Sequence, residues 1–209
     1  MRRFIIAVAV AVALNLSCGS KVSTQNHEDS SPGPSPVALA PKGAGSKQEQ
    51  ENHFRAALKL HLAGETAQAI EEFKKAIEAG DDNKETYREV AMLLIDLKRY
   101  EEAEIYLRKV IEKDAKDARA HWELAALLTL QFERYEEGLR EANLAEEYYG
   151  KDGLSYVRDH LIGKAYDGLG DYGNALKHYK RFLKGRSYAP DSEDYKEAQK
   201  RVSELEKRR

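Results

Sequence analysis

The chain has 209 residues and a formal charge of −2, from 34 Lys and Arg against 36 Asp and Glu. About half of it is Ala, Glu, Lys, Leu and Arg, the composition of long helices. The single Cys excludes an internal disulfide and a Cys-built zinc site, and the balanced charge excludes the basic footprint of a nucleic-acid binder. Four of the five prolines lie between positions 32 and 41, so 42–189 contains no helix-breaking proline.

Arg2 and Arg3 open the chain, and an apolar run follows from Phe4 to Leu14. A membrane-spanning helix needs about 20 apolar residues, so this run is too short. A charged start, a short apolar stretch and small residues behind it read as a secretory signal peptide. The only Cys follows at once, in Leu14-Asn15-Leu16-Ser17-Cys18-Gly19.

That hexapeptide resembles the lipobox of bacterial lipoproteins. The resemblance implies that residues 1–17 are removed and that Cys18 becomes the first mature residue, carrying the lipid chains. Ser17 fits the pattern; Asn15 departs from it, because Leu is usual there. Several acyl chains anchor a protein stably, whereas one does so only marginally. Gly19 in place of Asp implies the outer membrane, with the folded part facing the periplasm. A rival cleavage site follows Ala11-Val12-Ala13 and would release a soluble, secreted peptide-binding module instead.

Behind the Cys, residues 18–49 are rich in Ser, Pro, Gly, Gln and Lys. Such a segment buries too little apolar surface to offset its ordering entropy. It reads as a disordered tether with a root-mean-square reach of roughly 30 Å.

From residue 50 onward the apolar residues recur at three- and four-residue steps, as in Ala69-Ile70-Glu71-Glu72-Phe73-Lys74-Lys75-Ala76-Ile77. This is helical periodicity. Tyr100-Glu101-Glu102-Ala103 is echoed by Tyr135-Glu136-Glu137-Gly138 and by Tyr172-Gly173-Asn174-Ala175. The steps from Ala69 to Ala103, Gly138 and Ala175 are 34, 35 and 37 residues. Two helices cross closely only where one presents Ala or Gly, so Ala57 with Ala69 and Ala91 with Ala103 mark close crossings. Phe73, Leu107, Tyr166 and Tyr179 then fill the space between neighbouring pairs. An extra residue in the third unit falls near Leu130 to Arg134.

A period near 34 built from helix-turn-helix units resembles the tetratricopeptide repeat. The fourth unit matches most fully, with Gly163, Tyr166, Gly170, Ala175 and Tyr179 at the family's spacings. The family's first signature position takes His53, Tyr87, His121 and Asp159 instead of Trp, and the late Pro is missing. The resemblance implies an all-α fold, a right-handed superhelix of about four repeats over 50–83, 84–117, 118–152 and 153–189. A polar helix over 191–207, capped by Asp191 or Ser192, would close the array, giving a domain over 50–208.

No catalytic constellation accompanies the repeats. Glu71-Glu72, Glu101-Glu102 and Glu136-Glu137 recur at one place in each unit, as solvated faces do. No phosphate loop, activated Ser, metal-ligand spacing or cofactor motif is present in the sequence. The expectation is a binding protein rather than an enzyme.

In the tetratricopeptide family the first helix of each repeat lines an inner groove. Carried onto this chain, the spacing assigns Phe54, Leu58, His61 and Leu62 from the first repeat and Arg88, Met92, Ile95 and Asp96 from the second. The third gives Trp122, Ala126, Thr129 and Leu130, and the fourth Val157, His160, Lys164 and Asp167. Some members clamp acidic peptide tails with polar donors, but Phe54 and Leu58 occupy those positions here. The apolar centre suits a strand or amphipathic helix of a protein partner, and the polar fourth set suits a charged segment or a peptide end. A lipoprotein with a signal, a tether and such repeats resembles pilotins, which help a secretin ring of a pilus or secretion system assemble. A subunit of another envelope or outer-membrane-protein assembly complex is the alternative.

Overall fold

The computed structural model describes residues 45–149, 155–185 and 190–208. The signal run, Cys18 and the segment read as a tether up to residue 44 lie outside the described residues, as do residues 150–154, 186–189 and 209. Nine helices and no strand are found among the described residues: α1 Lys47–Leu62, α2 Thr66–Glu78, α3 Lys84–Asp96, α4 Tyr100–Lys113, α5 Ala118–Leu130, α6 Tyr135–Tyr149, α7 Ser155–Gly168, α8 Tyr172–Gly185 and α9 Glu193–Glu206. They form the four helix pairs and terminal helix that the repeats predict.

The helix starts follow local chemistry. Ser46 caps α1, its hydroxyl accepting from the Glu49 N–H at 3.1 Å. The first helix therefore begins at Lys47, inside the stretch read as tether. Asn83 caps α3 and Asp117 caps α5 in the same way. Ser192 occupies the N-cap position of α9.

Inside each repeat one residue at the turn takes a left-handed conformation: Gly64, Lys98, Glu133 and Gly170. In repeats one, two and four the turn closes from the N–H of Glu65, Arg99 and Asp171 to the carbonyls of Leu60, Leu94 and Tyr166. In the third, the Arg134 N–H reaches back one residue further, to Leu128. The extra residue of the third repeat is accommodated there.

Close crossing inside the pairs rests on small side chains. Ala57, Ala69, Ala91, Ala103 and Ala175 are completely buried. In the third pair a methyl group on Gly138 would lie 2.1 Å from the Thr129 hydroxyl, so only glycine fits there. Between pairs, large side chains fill the gap. Phe73 and Leu107 are fully buried, and burying such a side chain contributes about 1.5–3 kcal/mol. One continuous core runs from Ala57 through Phe73, Leu94 and Leu107 to Leu128. Smaller clusters gather around Leu161 and Ile162, and around Tyr179 and Phe182.

The position where the family carries Trp holds a contact between the two helices of a repeat instead. His53 meets Glu72 at 2.7 Å, His121 meets Glu141 at 2.6 Å, and His178 meets Asp159 at 2.8 Å. In the second repeat Tyr87 lies against Tyr106, with ring centroids 6.3 Å apart.

The outer helices differ in charge. α6 carries five carboxylates and one Arg, whereas α8 carries four Lys and Arg and no carboxylate.

Candidate functional site

The site is the face formed by the first helices of the pairs, α1, α3, α5 and α7, with α9 next in line. Helix-turn-helix stacking presents one stripe of each to solvent. The assigned residues divide into three groups on this face.

Some of them are held by the core. Phe54 is half-buried, its ring edge-on to Phe73 at 5.5 Å. Leu58 and Ile95 are half-buried against the same core. Arg88 is only 7% exposed. Its guanidinium donates to Glu85 and to Asp117, and Lys84 donates to Asp117 at 3.0 Å and to Asp114 at 2.6 Å. Arg88 thus ties the second repeat to the third. Thr129 is buried against Gly138.

Others remain open. Leu62 is 86% exposed and Leu130 39% exposed. Met92 is half-buried between them in the array. Trp122 and Ala126 are half-buried against Ala125, Ala142, Leu161 and Ile162. Trp122 therefore shows part of its surface while resting on the junction between the third and fourth repeats.

The third group builds a cleft of about 510 Å³. Thr129 and Leu130 of α5, Lys164 and Asp167 of α7, and Glu197, Lys200, Arg201 and Glu204 of α9 line it, with Glu133 and Tyr135 from the intervening turn and α6. Lys164 pairs with Glu197 at 2.9 Å. Arg201 grips Asp167 through Nε at 2.5 Å and Nη2 at 2.6 Å, and donates to Glu204 at 2.8 Å. These bonds hold the Arg201 guanidinium well above its ordinary range, the Asp167 bond first. Lys200 and Glu133 make no ion pair among the described residues. His160 lies just behind, its ring stacked on Phe182 at 4.7 Å.

The spacing of α7 found Lys164 and Asp167. It missed Glu133, Tyr135 and all of the α9 wall, because the cap was read as a closing element only. The alternation of charges at 197, 200, 201 and 204 is the signal that marks a helical stripe facing the cleft.

A buried carboxylate sits further along the face. Burial pushes the Glu123 carboxyl up, against the opposing bond from Arg119 at 2.7 Å. Its Oε2 has no hydrogen-bond partner. Among the described residues no three His, Cys, Asp or Glu side chains converge to hold a metal ion. No described helix is long and apolar enough to cross a membrane.

Comparison with solved structures gives the fold. MamA from Desulfovibrio magneticus is 15% identical, with a TM-score of 0.61 over 79% of this chain and 96% of that one. YrrB, described as a tetratricopeptide-repeat protein with an unusual peptide-binding site, is 15% identical, with a TM-score of 0.58 over 77% of this chain and 88% of that one. PilW, described as a type IV pilus biogenesis factor, is 15% identical, with a TM-score of 0.54 over 78% of this chain and 80% of that one. No curated protein matches the sequence. Family models described as tetratricopeptide repeat match residues 60–128 and 160–184. Those two segments match tetratricopeptide repeats, and the described residues form an all-helical array of that fold.

Proposed function

We propose that this protein is a lipid-anchored scaffold of the bacterial cell envelope that holds a partner segment along its inner face. The observation that carries the reading is a change of character along that face. Leu62, Met92, Trp122 and Leu130 offer apolar surface, and the surface then runs into a cleft walled by ion pairs. A partner with an apolar stretch followed by charged residues fits that order. The peptide-binding site in the description of YrrB and the pilus role in that of PilW support the direction. Within it, we propose a pilotin-like part in assembling a pilus or secretion-system secretin, with Cys18 lipidated and the tether spanning from membrane to repeats.

Two measurements test this. Intact mass of the mature protein is expected to show acyl chains on an N-terminal Cys18; a mature chain beginning at Leu14 overturns the anchor. A crosslinked pull-down from detergent-solubilised envelopes compares wild type with Leu62→Glu and Leu130→Glu. Both leucines are exposed, so the fold survives the change. Recovery of a secretin or pilus component by wild type, lost in the variants, is expected. The same proteins recovered by all three would remove the groove from the reading.

A further inference from the structure

We infer that the outer face of α8 is a docking surface for the anionic headgroups of a lipid bilayer. The nearness of a bilayer rests on the lipid anchor proposed for Cys18; the charge of the face does not.

Lys180, Arg181 and Lys184 follow Lys177 by three, four and seven residues, so the four share one side of the helix. They form a stripe roughly 10 Å long. All four are exposed. The opposite side of α8 is buried through Ala175, Leu176, Tyr179 and Phe182, which fixes the stripe toward solvent.

The same four places in the first two outer helices are neutralised. Counted from Ala69, they are Glu71, Lys74, Lys75 and Glu78 in α2. Lys74 donates to Glu71 there, and Lys75 to Glu72. Counted from Ala103, they are Ile105, Arg108, Lys109 and Glu112 in α4, where Arg108 donates to Glu104 and Lys109 to Glu112. Counted from Gly138, the last place in α6 is Glu147. The last place is thus Glu in three repeats and Lys184 in the fourth. α8 has no carboxylate of its own to neutralise its cations. Lys177 and Lys184 make no ion pair among the described residues. Lys180 reaches Glu206 of α9 at 2.6 Å, but both side chains are half exposed, and such a pair is held weakly. Arg181 lies 3.3 Å from Asp159, which His178 already holds at 2.8 Å.

Shape selects the kind of partner. The stripe runs along the open side of one helix, away from the inner face. A plane of phosphate groups meets all four cations at once, whereas an extended peptide laid there is held along one side only. The chain as a whole is net negative, so this face, and not the whole molecule, is what an anionic surface attracts. Each Lys or Arg near an anionic leaflet strengthens binding about fivefold. A tether with a reach of roughly 30 Å would keep the domain close enough for so weak a contact to form.

The test is co-sedimentation of the full chain carrying Cys18→Ser, so that no acyl chain contributes. The vesicles are phosphatidylglycerol mixed with phosphatidylcholine, or phosphatidylcholine alone. Residues 1–17 are the same in every variant, so differences between variants read the stripe. The chain is expected to prefer the anionic vesicles and to lose the preference as salt is raised. Lys177→Gln with Lys184→Gln should weaken binding to the anionic vesicles about 25-fold, at about fivefold for each charge, and leave the thermal melt unchanged. Lys59→Gln with Lys116→Gln, also exposed but on other elements, should leave binding as it is. Equal losses in the two double variants, or no loss in either, overturn the docking surface. A chain that ignores vesicles yet binds soluble poly-glutamate, or forms dimers that Lys177→Gln with Lys184→Gln dissolves, gives the stripe to an acidic protein or a second copy and overturns the membrane assignment. Stripe-dependent vesicle binding by a protein whose intact mass shows no acyl chain leaves the docking surface standing and removes the anchor.

Discussion

His178 on α8 meets Asp159 on α7 in the same relation that His53 on α1 bears to Glu72 on α2, with acid and base exchanged between the helices. The family's Trp position is thus occupied by one half of a polar pair in three repeats. Swapping the two partners preserves the contact because either group can stand on either helix. The second repeat solves the same problem with two tyrosines, and burial pushes the Tyr106 hydroxyl up to about 12.

His121 in the third repeat is the most buried of the three histidines, and both its nitrogens have partners, Glu141 and the Ala115 carbonyl. His121→Ala should cost about 1–3 kcal/mol, because it strands those acceptors. His61→Ala, at an exposed site, should change stability by less than about 0.5 kcal/mol. Urea titrations of both variants would check the contrast; equal losses would show that the polar pair contributes nothing particular.

Ala103 is completely buried where α3 and α4 cross. Ala103→Asp places an unpaired carboxylate there, at a cost of roughly 3–5 kcal/mol or more. That is a large share of the roughly 5–15 kcal/mol of a typical domain, so cooperative melting should disappear. Ala103→Gly should cost only about 1 kcal/mol and melt cooperatively. A sharp melt by circular dichroism for the Asp variant would contradict this packing.

Acid should destabilise the array. The carboxyls of Glu72, Glu102 and Glu137 are held below their ordinary 4.5, chiefly by hydrogen bonds from Lys75, Arg99 and Arg134. Their contribution is fully present above the unfolded value and is lost as pH falls through the lower folded ones. Glu123 has the opposite sign. Burial raises it, so it favours folding below the ordinary 4.5, and that benefit goes as pH rises through its raised value. The melting midpoint should therefore fall below pH about 4.5. Glu123→Gln should raise the midpoint at neutral pH and give no gain at pH 4. A gain of equal size at both would remove burial of the charge as the cause.

Arg201 fastens the last helix through Asp167. Arg201→Ala should cost about 1–3 kcal/mol and release α9, because a two-point charged contact is lost. Hydrogen exchange should quicken in 193–206 while α1–α4 keep their protection. Uniform acceleration along the chain would mean that α9 is integral to the whole fold.

The repeats were legible because the crossings demand small residues, and Ala69, Ala103, Gly138 and Ala175 display that demand at regular steps. The extra residue between Leu128 and Arg134 was legible as a break in the same count. The start of α1 was missed, although Ser46 and Glu49 stand at capping-box spacing before the first helical turn. The groove was only partly readable. Spacing along one helix does not distinguish an open side chain from one that a neighbouring helix covers. Leu62 and Arg88 thus carried equal weight in the sequence, and tertiary packing leaves one exposed and the other buried in ion pairs.

The opposite charges of α6 and α8 give the repeat array an electrical direction. A net-negative helix and, two helices further along the chain, a net-positive one separate charge along the array. Such a separation turns the molecule in the field of any charged surface it approaches, before a single atom touches. Ions screen that field beyond about 8 Å at physiological salt, so the turning acts in the last moments of approach.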